Sequence, residues 1–206
     1  MKVNLRDVSF LILVRIDSIE RLENICVVVN SLNHFFDTNI YVMEADKYNN
    51  KILYRMLKSK CKYIFHEDRD YVLHKTKLLN ILTKYVLTEY VCLLDADIVI
   101  DKDAILTSVD MLRNQNLDVV YPYNGTCYNV QNVMRDIFMT HKSLRFLKNN
   151  TGKMDFLYNY RVVGGILILR YEKYNLIGKE NEVHYGWGND DYDRYTRFKN
   201  NNLQIK

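Results

Sequence analysis

Apolar and polar positions along the first half of the chain follow two alternating rhythms. Val8–Ile16 is an apolar run of the kind buried on both faces of a parallel sheet. Ile19, Leu22, Ile25, Val29, Leu32 and Phe36 then recur at three- and four-residue steps, which predicts a helix. Asp17 and Glu20, three apart at its start, have the spacing of a capping box. The pattern continues with a strand over Ile40–Ala45, a short helix over Asn50–Lys58 and a strand over Lys62–Phe65. A helix over Lys75–Val86, a strand over Tyr90–Leu94, a helix over Ala104–Arg113 and an extended segment over Val119–Tyr123 follow. The polar stretch Lys148–Lys153 predicts an exposed loop. Strand–helix alternation of this kind implies an α/β sheet covered by helices on both faces. Ligands of such sheets collect at the carboxyl ends of the strands, which directs attention to Asp17, Glu44, Asp46, Asp95 and Asp97.

Composition narrows the class. With 206 residues, 48% apolar and 26% charged, the chain is expected to form a single domain with a substantial core. One Pro and seven Gly exclude collagen-like and low-complexity readings. The run Val8–Val14 is too short to span a bilayer, and the N-terminus carries no signal-peptide pattern. A net charge of +4, mild and unclustered, argues against a nucleic-acid partner. Cys26, Cys61, Cys92 and Cys127 lie more than thirty residues apart and read as reduced thiols of a cytoplasmic protein.

The sharpest local signal is Val91-Cys92-Leu93-Leu94-Asp95-Ala96-Asp97. In an extended chain, side chains two apart point the same way, so Asp95 and Asp97 are expected to aim together from the sheet edge. Adjacent carboxylates repel, and a hard divalent cation such as Mg²⁺ or Mn²⁺ removes that cost; the competing reading is a helix cap. A second signal lies in Gly164-Gly165 before the apolar Ile166–Leu169, and in Gly186-Trp187-Gly188-Asn189-Asp190-Asp191. Paired glycines opening a strand mark a close backbone approach. Asp190 and Asp191 start a helix running to about Phe198; alone they read as capping, and beside a metal site one of them reads as a general base.

Lys77-Leu78-Leu79-Asn80, Leu94-Asp95-Ala96-Asp97, Val163-Gly164-Gly165 and Gly186-Trp187-Gly188-Asn189-Asp190-Asp191 occur in the order and approximate spacing of another family's motifs. Together they resemble the GT-A fold glycosyltransferases, in particular the β-1,4-galactosyltransferase-like branch and its bacterial polysaccharide-synthesis relatives. The resemblance covers roughly Val8 to Phe198. It implies a Rossmann-like mixed sheet flanked by helices, with residues 1–123 as the nucleotide-binding half and 124–206 as the acceptor and catalytic half. It also implies that Asp97 and Asp95 hold Mn²⁺ or Mg²⁺ and that Lys75 lies near the diphosphate of a UDP-sugar. Arg15, Asp17 and Glu44 would line the nucleotide pocket. Gly165, Trp187 and Asp190 would shape the sugar and acceptor site, and Asp191 would be the base. That branch draws a further metal ligand and an acceptor lid from beyond the helix, whereas only fifteen residues follow Asp191 here and none is His. The expectation is a shortened C-terminal segment, or a metal shell completed by water and phosphate.

Each of these residues has a plainer reading: Asp17 as a cap, Arg15 and Lys75 as solvated charges, Glu44 as a surface charge, Trp187 as core. The implied reaction moves a hexose of Gal, GalNAc or Glc type to a hydroxyl of a glycan or lipid-linked glycan, with inversion. A lipid-linked acceptor would bring the protein peripherally to the inner membrane face. Two rivals are a haloacid-dehalogenase-like phosphatase, in which Asp95 is nucleophile and Asp97 acid/base, and a nucleotide-sugar-binding domain without turnover. The D-x-D falls mid-chain, against the phosphatase, and its late acidic motif lacks a preceding apolar strand.

Overall fold

A computed structural model describes residues 2–206. Strand β1 (Val3–Val14) is buried on both faces from Val8 onward. Phe10, Ile12 and Val14 point to one layer and Leu11 and Leu13 to the other, as period-two alternation requires. Helix α1 (Ile19–Phe35) begins at Ser18, whose hydroxyl accepts the Arg21 N–H at 3.2 Å. Ser18 is therefore the cap, and Asp17 instead forms an ion pair with Arg21 at 2.9 Å. Strand β2 (Phe36–Asp46) follows with no loop, so Phe36 opens a strand rather than closing the helix. β1 and β2 shift register between Leu5 and Ser9, and the Thr38 hydroxyl fills the irregularity by bonding the Leu5 and Val8 carbonyls.

Helix α2 (Ile52–Leu57), strand β3 (Lys62–Glu67), helix α3 (Lys75–Leu82) and strand β4 (Tyr90–Leu94) continue the alternation, with a 3₁₀ turn over Thr83–Tyr85. Helix α4 (Lys102–Asn114), capped by Asp101, leads to the short strand β5 (Val119–Val120), which stops before Tyr121. Strand β6 (Tyr128–Asn129), helices α5 (Asn132–His141) and α6 (Leu144–Asn149), and strand β7 (Asp155–Phe156) form a peripheral lobe. Lys148–Lys153 is exposed or half-buried but helical: it closes α6 and forms a 3₁₀ turn, because Ser143 caps the Phe146 N–H. Strand β8 (Ile166–Arg170) and helices α7 (Tyr171–Leu176) and α8 (Asp190–Asn200) complete the described chain.

Six strands form one sheet in the order β3-β2-β1-β4-β8-β5. The pairs β3/β2, β2/β1 and β1/β4 are parallel, whereas β8 runs antiparallel between β4 and β5. The second half of the chain thus inserts a strand into the sheet built by the first. One layer of the core packs α1 and α4 on the sheet through Ile25, Val29, Ile105 and Val109. The other packs α3, α7 and α8 through Leu78, Leu82, Tyr174 and Phe198. Strand order reverses between β1 and β4, so a crevice opens where Asp17 and Asp95 leave their strands.

Candidate active site

The crevice is a cleft of about 390 Å³. Strand β4 ends at Leu94 and the chain turns through Ala96 and Asp97, so Asp95 and Asp97 both reach the cleft by a turn rather than by strand alternation. The Asp95 N–H donates to the Gly165 carbonyl at 2.8 Å, which fixes the turn to the start of β8. Gly165 makes that contact at φ +81°, in the left-handed region that glycine tolerates. Burial and the neighbouring Asp95 charge push the Asp97 carboxyl above its ordinary range. A cation placed between the two carboxylates would offset both the burial and the repulsion.

Lys75, the first residue of α3, supplies the counter-charge within the protein. Its Nζ lies 3.0 Å from Asp95 and 3.8 Å from Asp190. Burial would lower its pKa, but Asp95, Asp191 and Asp190 outweigh that and hold the ammonium above its usual range. Asp190 is buried, does not line the cleft, and leaves Oδ2 without a hydrogen bond.

Asp191 does line the cleft, and its position is determined from two sides. A Cβ on Gly164 would collide with its carboxylate, so the first glycine of the pair exists to admit that group. On the other side Arg194, one helical turn later, bonds Asp191 and holds Glu180 at 2.8 Å. Arg194 and Glu180 are buried, and the Tyr174 hydroxyl donates to Glu180 at 2.6 Å. Asn80 then clamps the Glu180 backbone, donating to its carbonyl and accepting its N–H, both at 3.0 Å. This accounts for the Asn of Lys77-Leu78-Leu79-Asn80, and the motif's spacing alone did not point to Arg194, Glu180 or Tyr174.

Trp187 is 86% exposed on the cleft rim, so the core reading is corrected. Gly186 and Gly188 flank it at φ +86° and +115°, conformations that leave the ring standing off the surface. Two nucleotide-pocket expectations are also corrected. Arg15 turns away to bond the Ala45 and Asp70 carbonyls and the Asp68 carboxylate, pinning the 68–71 loop. Glu44 is fully buried in the α1/α2 layer, where the Tyr63 hydroxyl donates to it at 2.5 Å. Neither lines the cleft. Asp17 does, beside its partner Arg21, a residue that no local motif marks.

Among the described residues, no group of three or more His, Cys, Asp or Glu side chains is placed to hold a metal. Asp95 and Asp97 are the oxygen pair available, a donor set suited to a hard cation that keeps other positions for phosphate or water.

A search of solved structures finds the same architecture with carbohydrate enzymes. A Drosophila β-1,4-galactosyltransferase 7 mutant, in complex with manganese, UDP-Gal and xylobiose, matches 97% of this chain at 16% identity with a TM-score of 0.60. The catalytic domain of the Drosophila enzyme with xylobiose covers 99% at 15% identity and TM-score 0.59. A Pyrobaculum calidifontis mannosyltransferase with GDP-Man and Mn²⁺ covers 97% at 13% identity and TM-score 0.62. The chain has the GT-A fold. It spans 63%, 64% and 53% of those structures' own lengths. Residues 146–206 also match a family described as the N-terminal domain of galactosyltransferase, the segment holding Gly164, Trp187 and Asp191. No curated protein matches by sequence. With the GT-A fold, the phosphatase reading falls: residues 184–189 ahead of Asp190 form no strand.

Proposed function

We propose that this GT-A chain is a metal-dependent hexosyltransferase. It moves a Gal-, GalNAc- or Glc-type sugar from a UDP-sugar to a hydroxyl of a glycan or lipid-linked glycan, with inversion, in bacterial-type polysaccharide synthesis. The observation that carries this reading is the convergence of Asp95, Asp97, Lys75 and Asp191 on one cleft at the β1/β4 switch point. Residues 1–123 bring the nucleotide side and 124–206 the acceptor side. The neighbours that bind UDP-Gal or GDP-Man with manganese support a diphosphate-linked donor.

Asp97 and Asp95 would hold Mn²⁺ or Mg²⁺, which as a Lewis acid neutralises the charge that develops on a leaving diphosphate. Lys75 adds a fixed positive charge beside the same carboxylates. Asp17 and Arg21 face the nucleotide end, and Trp187 offers its ring to the sugar. Asp191 accepts the proton of the attacking hydroxyl. Arg194 fixes the carboxylate's orientation, and Gly164 lets it pack against the backbone ahead of β8. A single base opposite the leaving group corresponds to inversion. No described helix is long and apolar enough to cross a membrane; a cytoplasmic protein reaching a lipid-linked acceptor would work at the inner membrane face.

A thermal-shift titration with UDP, with and without Mn²⁺, tests the donor site. Ligand that binds the native state alone stabilises it by about 2.7 kcal/mol at a hundred times Kd. The expected result is a UDP-dependent rise that requires Mn²⁺ and disappears in Asp97→Asn. No rise overturns the reading. Mn²⁺-dependent UDP binding without sugar transfer would leave a nucleotide-sugar-binding module, and a product of retained configuration would remove Asp191 from its role.

A further inference from the structure

A second, larger cavity of about 650 Å³ adjoins the cleft, and Asp97 and Gly165 line both. Gly164 also lines it, and its far side abuts the Asp191 carboxylate. The groove runs from the catalytic end between the turn after β4 and the α5/α6 lobe. Val27, Ile98, Val99, Phe138, Leu147 and Met154 give it an apolar lining, and Val27, Phe138 and Leu147 belong to the small cluster that joins the lobe to α1. Such a volume is in the range of small-molecule sites, and such a lining favours apolar ligand surface.

We propose that this groove holds the hydrocarbon aglycone of the acceptor, so that the acceptor is an amphipathic glycoside rather than a bare saccharide; this rests on the transferase reading above. A hydroxyl positioned against Asp191 and Gly164 places the rest of its own molecule at the groove's entrance, so the occupant is continuous with the acceptor. The wall chemistry then selects what continues. Arg135 is taken by Glu23 and Asn24, Lys148 by Asp101, and the Tyr123 hydroxyl by the Gly164 and Val162 carbonyls. Sugar hydroxyls lying there would find these groups already engaged, and each hydroxyl left unpaired on burial is penalised. Methylene groups incur no such cost and gain by leaving water. Met139 and Met154 on the wall bring unbranched, adaptable side chains suited to a flexible chain.

Calorimetric titration with octyl β-D-glucoside below its micelle concentration, against methyl β-D-glucoside, tests the groove without turnover. The octyl compound is expected to bind at least tenfold tighter. Met154→Trp and Leu157→Trp each fill the groove from half-buried or exposed positions. Each is expected to cost the octyl compound tenfold or more, with the UDP and Mn²⁺ thermal shift reporting an intact fold. Equal binding of the two glycosides, or octyl binding untouched by both substitutions, overturns the proposal. A dimer by light scattering that excludes octyl glucoside assigns the groove to a second copy, and also overturns it. Octyl preference with no UDP response counts against the donor reading and leaves the groove standing.

Discussion

Asp191 is placed by two residues that do no chemistry themselves, Gly164 in front and Arg194 behind. Asp191→Asn should therefore lower kcat by about 10²–10⁴-fold, the usual worth of a general base, while UDP and Mn²⁺ binding stays intact. Gly164→Ala should produce a similar loss by displacing the carboxylate, and steady-state kinetics beside the thermal shift separates chemistry from binding. Glu44 gives a prediction of opposite character. Burial is the main reason its pKa is raised, with the Tyr63 hydrogen bond opposing and Asp46 adding to it. A raised carboxyl favours the folded state fully at low pH and loses that contribution as pH rises through the folded value. Glu44→Gln should therefore raise Tm at pH 8 and gain little at pH 4, read from melting curves across that range. The acidic site residues were readable because Asp95, Asp97 and Asp191 sit in short motifs whose chemistry is local. Strand-end position points Glu44 toward the pocket, but parity decides: it lies two residues from buried Val42 and shares its face.

At the scale of elements, helix α8, helix α3 and the segment around Glu180 behave as one clamp. Asn80, Thr76 and His74 of or before α3 bond the backbone of residues 180–184. Glu180 in turn pairs with Arg194 of α8 inside the core. Removing one partner of a buried ion pair costs about 3–5 kcal/mol, because the other charge stays desolvated. Arg194→Met should show that loss in denaturant unfolding, and the double change Glu180→Leu/Arg194→Met should regain most of it without regaining activity. Strand and helix order from β1 to α4 followed from periodicity alone, since each element buries a whole face or a whole run. The clamp did not, because Asn80 and Glu180 are a hundred residues apart. No local spacing marks such a pairing. The Lys148–Lys153 loop expectation failed for a related reason: its polar residues are compatible with an exposed helix, and composition does not choose between the two.

For the whole molecule, the sheet and the α5/α6 lobe are unequal partners. The sheet carries two large core layers, whereas the lobe is anchored through a small cluster of Val27, Phe138 and Leu147. Regions with few buried apolar contacts open first. Amide exchange should be slowest in β1, β2, β4 and β8 and at least tenfold faster across residues 130–157, by mass spectrometry of exchanged peptides. A flexible lobe over the apolar groove would let bulky acceptors enter without disturbing the donor side. The isolation of Trp187 has an optical consequence. As the chain's one Trp, almost wholly in water already, it contributes all indole emission from the cleft rim. Melting the fold hardly changes that ring's solvent, so a fluorescence melt is nearly blind to unfolding and circular dichroism has to follow it. The same ring is a native, label-free reporter of whatever docks against the cleft.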